Sequence, residues 1–209
     1  PHPRIEGPLK TTGRAVYSYE NHEAAPNAAY GYVVGSAIAK GRVRSFDLSA
    51  VRASPGVIDV VTHETAGELD KGRFNTAKLL GGPEIEHYHQ ALAVVIAETF
   101  EQARAAAAKL KISYARQDGR FDLKSETAKA QITEQGSDVA TGDLEAAFAA
   151  SEVQLDEHYE TPDHSHAMME PHASIARWDG DALFVWTSNQ MIAWGKADLA
   201  RTLKMPPEK

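Results

Sequence analysis

The sequence predicts an α+β chain. Strand-type runs recur through the first half, one helix lies between two strands at 89–115, and two late strands meet at a tight Asp-Gly turn. At 209 residues the chain can bury one good core or two small ones. Hydrophobic residues at 43% and charged ones at 24% lie near the averages of globular proteins, which argues against wholesale disorder.

The elements follow in order. Residues 1–10, rich in proline and charge, read as an N-terminal arm. "AAYGYVVGSAIA" (28–39) and "GRVRSFDLS" (41–49) are amphipathic strands with Gly41 at the break, although Val43 and Phe46 do not alternate cleanly. "ASPGVIDVVTHETAG" (53–67) joins a Pro-Gly turn to a short strand, Val57–Thr62. The run Ala91–Ala97 is apolar on both faces, as in a fully buried strand. Thr99 can cap the next helix, with Gln102 completing a capping box. Phe100, Ala103, Ala107 and Leu110 mark one helical face, and Leu110, Ile112 and Tyr114 then alternate as a half-buried strand does. A strand, a crossover helix of about a dozen residues and a second strand predict a βαβ unit or a split variant of it.

Residues 116–141 are polar, weakly periodic and long for a loop, as a linker between two domains would be. Beyond them Asp143 caps a short helix, Leu144–Ala150, leading to an expected strand, Val153–Tyr159. Strands Ser174–Trp178 and Leu183–Thr187 flank the turn Asp179-Gly180-Asp181. A last helix, about 191–203, is stopped by Pro206 and Pro207.

Charge and composition exclude several classes. A net charge of −7 argues against nucleic acid, whose phosphates call for a clustered basic face. The longest apolar run, Ala91–Ala97, is far short of the roughly 20 residues a membrane helix needs. The first residue is Pro1 and no charged-then-apolar leader follows, so the chain reads as trimmed or processed. Without cysteine there is no disulfide, no thiolate nucleophile and no iron–sulfur ligand on this chain.

One stretch concentrates chemistry. "HSHAMMEPH" (164–172) puts three histidines and a glutamate into nine positions. On a strand, His164 and His166 would share a face, while Pro171 prevents a continuous helix through the cluster. A metal centre here would need ligands from elsewhere. The alternatives are a polar turn and a pocket in which Met168, Met169 and Pro171 wrap the polar groups in apolar surface. A buried Glu170 would then need hydrogen-bond donors. Other motifs are weaker. The sequence holds no G-x-S-x-G turn and no G-x-G-x-x-G after a strand, and Gly81-Gly82-Pro83 lacks the context of a phosphate loop. "EHYH" (86–89) reads as a surface or interface strand end.

Six collinear stretches, "KTTGRAVYSYE" (10–20), "AYGYVVGSAIAKGRV" (29–43), "ASPGVIDVVT" (53–62), "ALAVVIAETFEQARAAA" (91–107), "TPDHSHAMMEPHASIARWDGDAL" (161–183) and "TSNQ" (187–190), resemble the xanthine dehydrogenase/aldehyde oxidase family. The likeness is to the start of its molybdenum-binding large subunit. It implies an α/β hammerhead domain over 11–117, a linker over 118–137 and the beginning of the first molybdopterin-binding domain over 138–209.

The resemblance also implies chemistry: hydroxylation of aldehydes or heteroaromatic carbons at a molybdenum–pterin centre, with the new oxygen from water and aromatic aldehydes as the leading substrates. The cofactor form implied is molybdopterin cytosine dinucleotide. Electrons would leave through [2Fe–2S] clusters to FAD, held on separate iron–sulfur and FAD subunits. The missing cysteines fit that arrangement. The compartment implied is periplasmic or cytoplasmic, the periplasm being favoured.

By the same resemblance the cofactor- or substrate-pocket candidates are His164, His166, Glu170, Asn189 and Gln190, and no side chain need bind molybdenum. Many members carry glutamine, an amide donor, at the position of His164. Glu170 matches the glutamate of M-E-P and is expected to be structural. His89 stands where many relatives have glycine, before the matching Gln90. The family's G-G-F-G loop would follow Lys209 and its catalytic glutamate would lie further on, so the isolated 209 residues are expected to be inactive. Two other readings are a non-catalytic hammerhead module that docks electron-transfer subunits, and an unrelated His/Glu metallohydrolase.

Overall fold

The computed structural model describes residues 2–70, 80–131, 141–164 and 166–209. The end of the expected linker, 132–137, and the first residues of the expected second domain lie outside the described residues. Two compact units emerge: residues 1–119 with 170–209, and residues 120–169. No helix among the described residues is long and apolar enough to cross a membrane.

The first unit begins with a short exposed helix, α1 (Gly7–Thr11), inside the expected arm. Strands β1 (Tyr30–Gly35) and β2 (Gly41–Asp47) follow. Gly41 opens β2 with φ +142°, and a Cβ there would run into the Ala115 carbonyl, so only glycine fits the break. After α2 (Ser49–Arg52), β3 covers Val57–Thr62 and β4 the pair Glu84–Ile85. Then come β5 (Ala91–Ala97), α3 (Phe100–Ala107) and β6 (Lys111–Arg116). Thr99 and Gln102 close the expected capping box: Thr99 Oγ1 accepts the Gln102 N–H at 3.2 Å, and Gln102 Oε1 accepts the Thr99 N–H at 3.0 Å.

The βαβ expectation is corrected. β5 is central in a sheet ordered β1-β5-β3, while β6 lies at the edge of a second sheet, β4-β2-β6, and every strand pairing is antiparallel. The eight-residue α3 therefore carries the chain from one sheet to the other rather than to a parallel neighbour.

Two apolar clusters hold this arrangement. Val60 and Val95 pack with Val51 of α2 and with Ala106 and Ala107 on α3; the alanines permit close approach of helix to sheet. Ile38, Val43, Ile85 and Leu92 form the second cluster beside Ile112 and Tyr114. A strand buried on both faces is also a correction: Leu92 is covered, but Val94 and Ile96 on the same side of β5 are only half-buried.

Gln90 is 6% exposed, and its side chain satisfies a tight loop: it donates to the Glu84 carbonyl at 2.8 Å and accepts the Glu86 N–H at 2.9 Å. The loop brings His89 to φ +63°, a conformation in which glycine is at ease.

The second unit contains α4 (Leu123–Glu126), capped by Asp122, and α5 (Leu144–Ala150), capped by Asp143 as the sequence predicts. No described residue in it is buried. The expected strand Val153–Tyr159 does not form. Its residues find no pairing partner among the described residues, and Val153, Leu155 and Tyr159 are exposed.

The chain then returns to the first unit as a hairpin, β7 (Ser174–Asp179) and β8 (Ala182–Thr187), turning at Gly180-Asp181. Gly180 takes φ +61°, as a two-residue turn requires. Helix α6 (Ile192–Thr202) ends before Pro206 and Pro207.

Candidate functional site

The candidates flank the hairpin: His164, His166 and Glu170 precede it, and Asn189 and Gln190 follow it. Arg177 of β7 donates to the Ala24 carbonyl at 2.9 Å and lies over the rings of Phe184 and Trp186 at 5.4 and 5.6 Å. β7 thereby rests on residues 18–24, which form two short 3-10 turns.

Glu170, just before the hairpin, is half-buried. Its Oε1 accepts the backbone N–H of Ser18 at 3.4 Å, and its Oε2 accepts the hydroxyl of Ser188 at 3.1 Å. The donors a sheltered carboxylate needs are present. Ser188 opens the "SNQ" loop between β8 and α6, so Glu170 and the 188–190 candidates are brought together.

Asn189 is used locally. Its Oδ1 accepts the Met191 N–H at 2.7 Å where α6 starts, and Gly195 leaves room for its amide, which a Cβ would strike at 2.6 Å. Gln190 is exposed beside it.

His164 and His166 belong to the second unit and are exposed, with no hydrogen bond to a described residue; Ser165 between them lies outside the described residues. They are not on a strand. Ala167, just after them, has φ +42°, so no extended strand continues past His166. The expected apolar wrapping is likewise corrected, since Met168 is 49% and Met169 96% exposed. Among the described residues no three His, Asp or Glu side chains gather where they could hold a metal ion.

Sequence reasoning missed the partners of Glu170. Ser18 is 152 residues away, and no spacing rule connects it to Glu170. The glycine that the resemblance leads one to expect at position 89 was a usable signal, because His89 takes a left-handed φ of +63° ahead of Gln90.

Comparison with known proteins gives two family matches in order. Residues 12–118 match the aldehyde oxidase and xanthine dehydrogenase a/b hammerhead domain, and residues 124–209 match a molybdopterin cofactor-binding domain. The chain is 58% identical over all its 209 residues to the aldehyde oxidoreductase molybdenum-binding subunit PaoC of Escherichia coli, and spans 29% of that relative's length. It is 27% identical to aldehyde oxidase 1 of Cavia porcellus over 98% of the chain and 15% of the relative. The aldehyde oxidoreductase of Desulfovibrio gigas shares the fold with a TM-score of 0.78 at 21% identity, over 99% of this chain and 25% of that one. Quinoline 2-oxidoreductase of Pseudomonas putida does so with a TM-score of 0.78 at 20% identity, over 98% of this chain and 28% of that one.

Proposed function

The chain belongs to the aldehyde oxidase and xanthine dehydrogenase family, and from that premise we propose that it is the N-terminal part of the molybdenum-binding subunit of an aldehyde oxidoreductase. The reaction is oxidation of an aldehyde to a carboxylic acid, with water supplying the oxygen and two electrons leaving. Aromatic aldehydes are the favoured substrates. The observation that carries the reading is 58% identity, along the whole chain, to a subunit of that description.

Hammerhead residues 11–117, a linker over 118–137 and a molybdopterin-binding segment from 138 are the proposed division; the hammerhead match over 12–118 supports its first part, while the cofactor-domain match starts earlier than 138, at residue 124. The proposed cofactor form is molybdopterin cytosine dinucleotide. FAD and [2Fe–2S] clusters are proposed for separate partner subunits; these 209 residues, which hold no cysteine, offer no thiolate to a cluster. The periplasm is the proposed compartment.

His164 occupies the position where many members have glutamine, and an imidazole ring N–H can replace the amide as a donor towards substrate or cofactor. Glu170, with both oxygens already engaged, does not serve as the base.

The test is expression of the full-length subunit with and without its partners. Stoichiometric molybdenum and aldehyde-dependent reduction of an electron acceptor are expected from the assembly, and neither from residues 1–209 alone. An assembly that carries molybdenum but oxidises no aldehyde would refute the substrate class.

A further inference from the structure

We propose that Glu170 is a positioning residue: its carboxylate ties Ser18 to Ser188 and thereby fixes the end of the segment that carries His164. The inference rests on the proposed function, since that is what gives the His164 segment its importance. Two observations carry it.

The first is the division of labour between the oxygens. Oε1 takes the Ser18 N–H and Oε2 the Ser188 hydroxyl, so one side chain joins three stretches far apart in sequence. Each stretch is independently braced. The 18–20 turn is closed by Glu20, which accepts the Tyr17 N–H at 2.8 Å. The loop after Ser188 is held to α6 through Asn189. Pro171 disfavours the helical region for residue 170, so the junction itself has little freedom.

The second observation is that the preceding segment has no buried anchor among the described residues. Every described residue from Asp163 to Met169 is exposed, and Met169 is 96% exposed. A segment with no burial takes its position from its ends, and Glu170 is the C-terminal end. A hydrophobic residue at 170 would leave the Ser18 N–H and the Ser188 hydroxyl without this acceptor.

The proposal is tested in the full-length subunit assembled with its partners, by hydrogen exchange and steady-state kinetics. Glu170→Ala should raise exchange at the Ser18 amide, whose N–H loses its acceptor, by roughly tenfold, the scale set by one lost hydrogen bond. Exchange in 91–97 should not change. With full molybdenum content, kcat should fall while KM changes little. Glu170→Gln should restore both, because the amide oxygen can still accept from Ser18 and the amide nitrogen can donate to Ser188 Oγ. Ser188→Ala removes a single surface hydroxyl, so it keeps the test available if the alanine variant does not assemble, and should move exchange in the same direction by less.

Unchanged exchange in both Glu170→Ala and Ser188→Ala would overturn the anchor. Lost protection with unchanged kcat would reduce Glu170 to a structural tie and overturn the positioning role. If the exchange pattern appears but the wild-type assembly oxidises no aldehyde, the anchor stands and the functional reading falls.

Discussion

Residues 30–116 and residues 120–169 both carry apolar side chains at regular spacings, but only the first stretch turns them into a core. Val51, Val60, Ile85, Leu92 and Val95 are at most 1% exposed, whereas Leu144, Val153 and Leu155 are at least 72% exposed. The difference teaches what each kind of sequence signal depends on. A capped helix is specified by residues within one turn and forms in both regions, at Thr99 and at Asp143. A strand needs a partner to take up its backbone groups, and the pattern at 153–159 has none among the described residues.

The largest break in that comparison is a charge in the core. Val95→Asp buries an unpaired carboxylate between sheet and α3 and should cost several kcal/mol, enough to prevent folding of the first unit. Val94→Asp, one residue along but half-exposed between Val33 and Val61, should still fold, with a lowered melting temperature. Circular dichroism melts of the two variants decide it. Equal loss of folding would mean that the outer face of β5 is as buried as the inner one.

A substitution in the exposed region should show the opposite signature. In the assembled enzyme His164→Ala should lower kcat about 10²–10³-fold, as removal of a transition-state hydrogen-bond donor does, and leave the melting temperature alone. His164→Gln should keep much of the activity. An alanine variant as fast as wild type would remove His164 from the chemistry.

How far the fold was legible follows the same division. Val57–Thr62, Ala91–Ala97 and Leu144–Ala150 form with the bounds that their sequence patterns predict. Pairing was not legible: nothing local in Ala91–Ala97 reveals that its neighbours are Tyr30–Gly35 and Val57–Thr62, both antiparallel, rather than the strand after the helix. The candidate site shows the same limit. Its residue types stood out in "HSHAMMEPH", but the contacts of Glu170 come from Ser18 and Ser188, and the left-handed φ of Ala167 is backbone geometry that no residue there announces.

The two caps sharpen the comparison at a smaller scale. Thr99→Ala removes the acceptor for Gln102 N–H in a helix that packs on the core, and should lower global stability by about 1 kcal/mol. Asp143→Ala removes an equivalent bond from a helix whose residues are all exposed. There the loss should appear only as faster amide exchange in 144–150, with the melting transition unmoved. A shared drop in melting temperature would show that α5 is coupled to the core.

The smallest effect is electrostatic and lies wholly in the second unit. Glu160 accepts a hydrogen bond from Lys124 and another from His158, and these hold its carboxyl below the usual glutamate range, the Lys124 bond foremost. A carboxyl whose folded value is depressed stabilises the fold at pH above the unfolded value, about 4.3 for glutamate. That contribution is lost as pH falls through the folded value. Because all three side chains are exposed, water and salt screen the pair, so the change should be local and the melting temperature at neutral pH should not respond to Glu160→Gln. The carboxyl carbon of Glu160, followed by NMR, should titrate below the glutamate reference and move up towards it in Lys124→Met. If the midpoint is the same in wild type and Lys124→Met, the contact does not persist in solution, and even the short-range order of residues 120–169 is weaker than its caps imply.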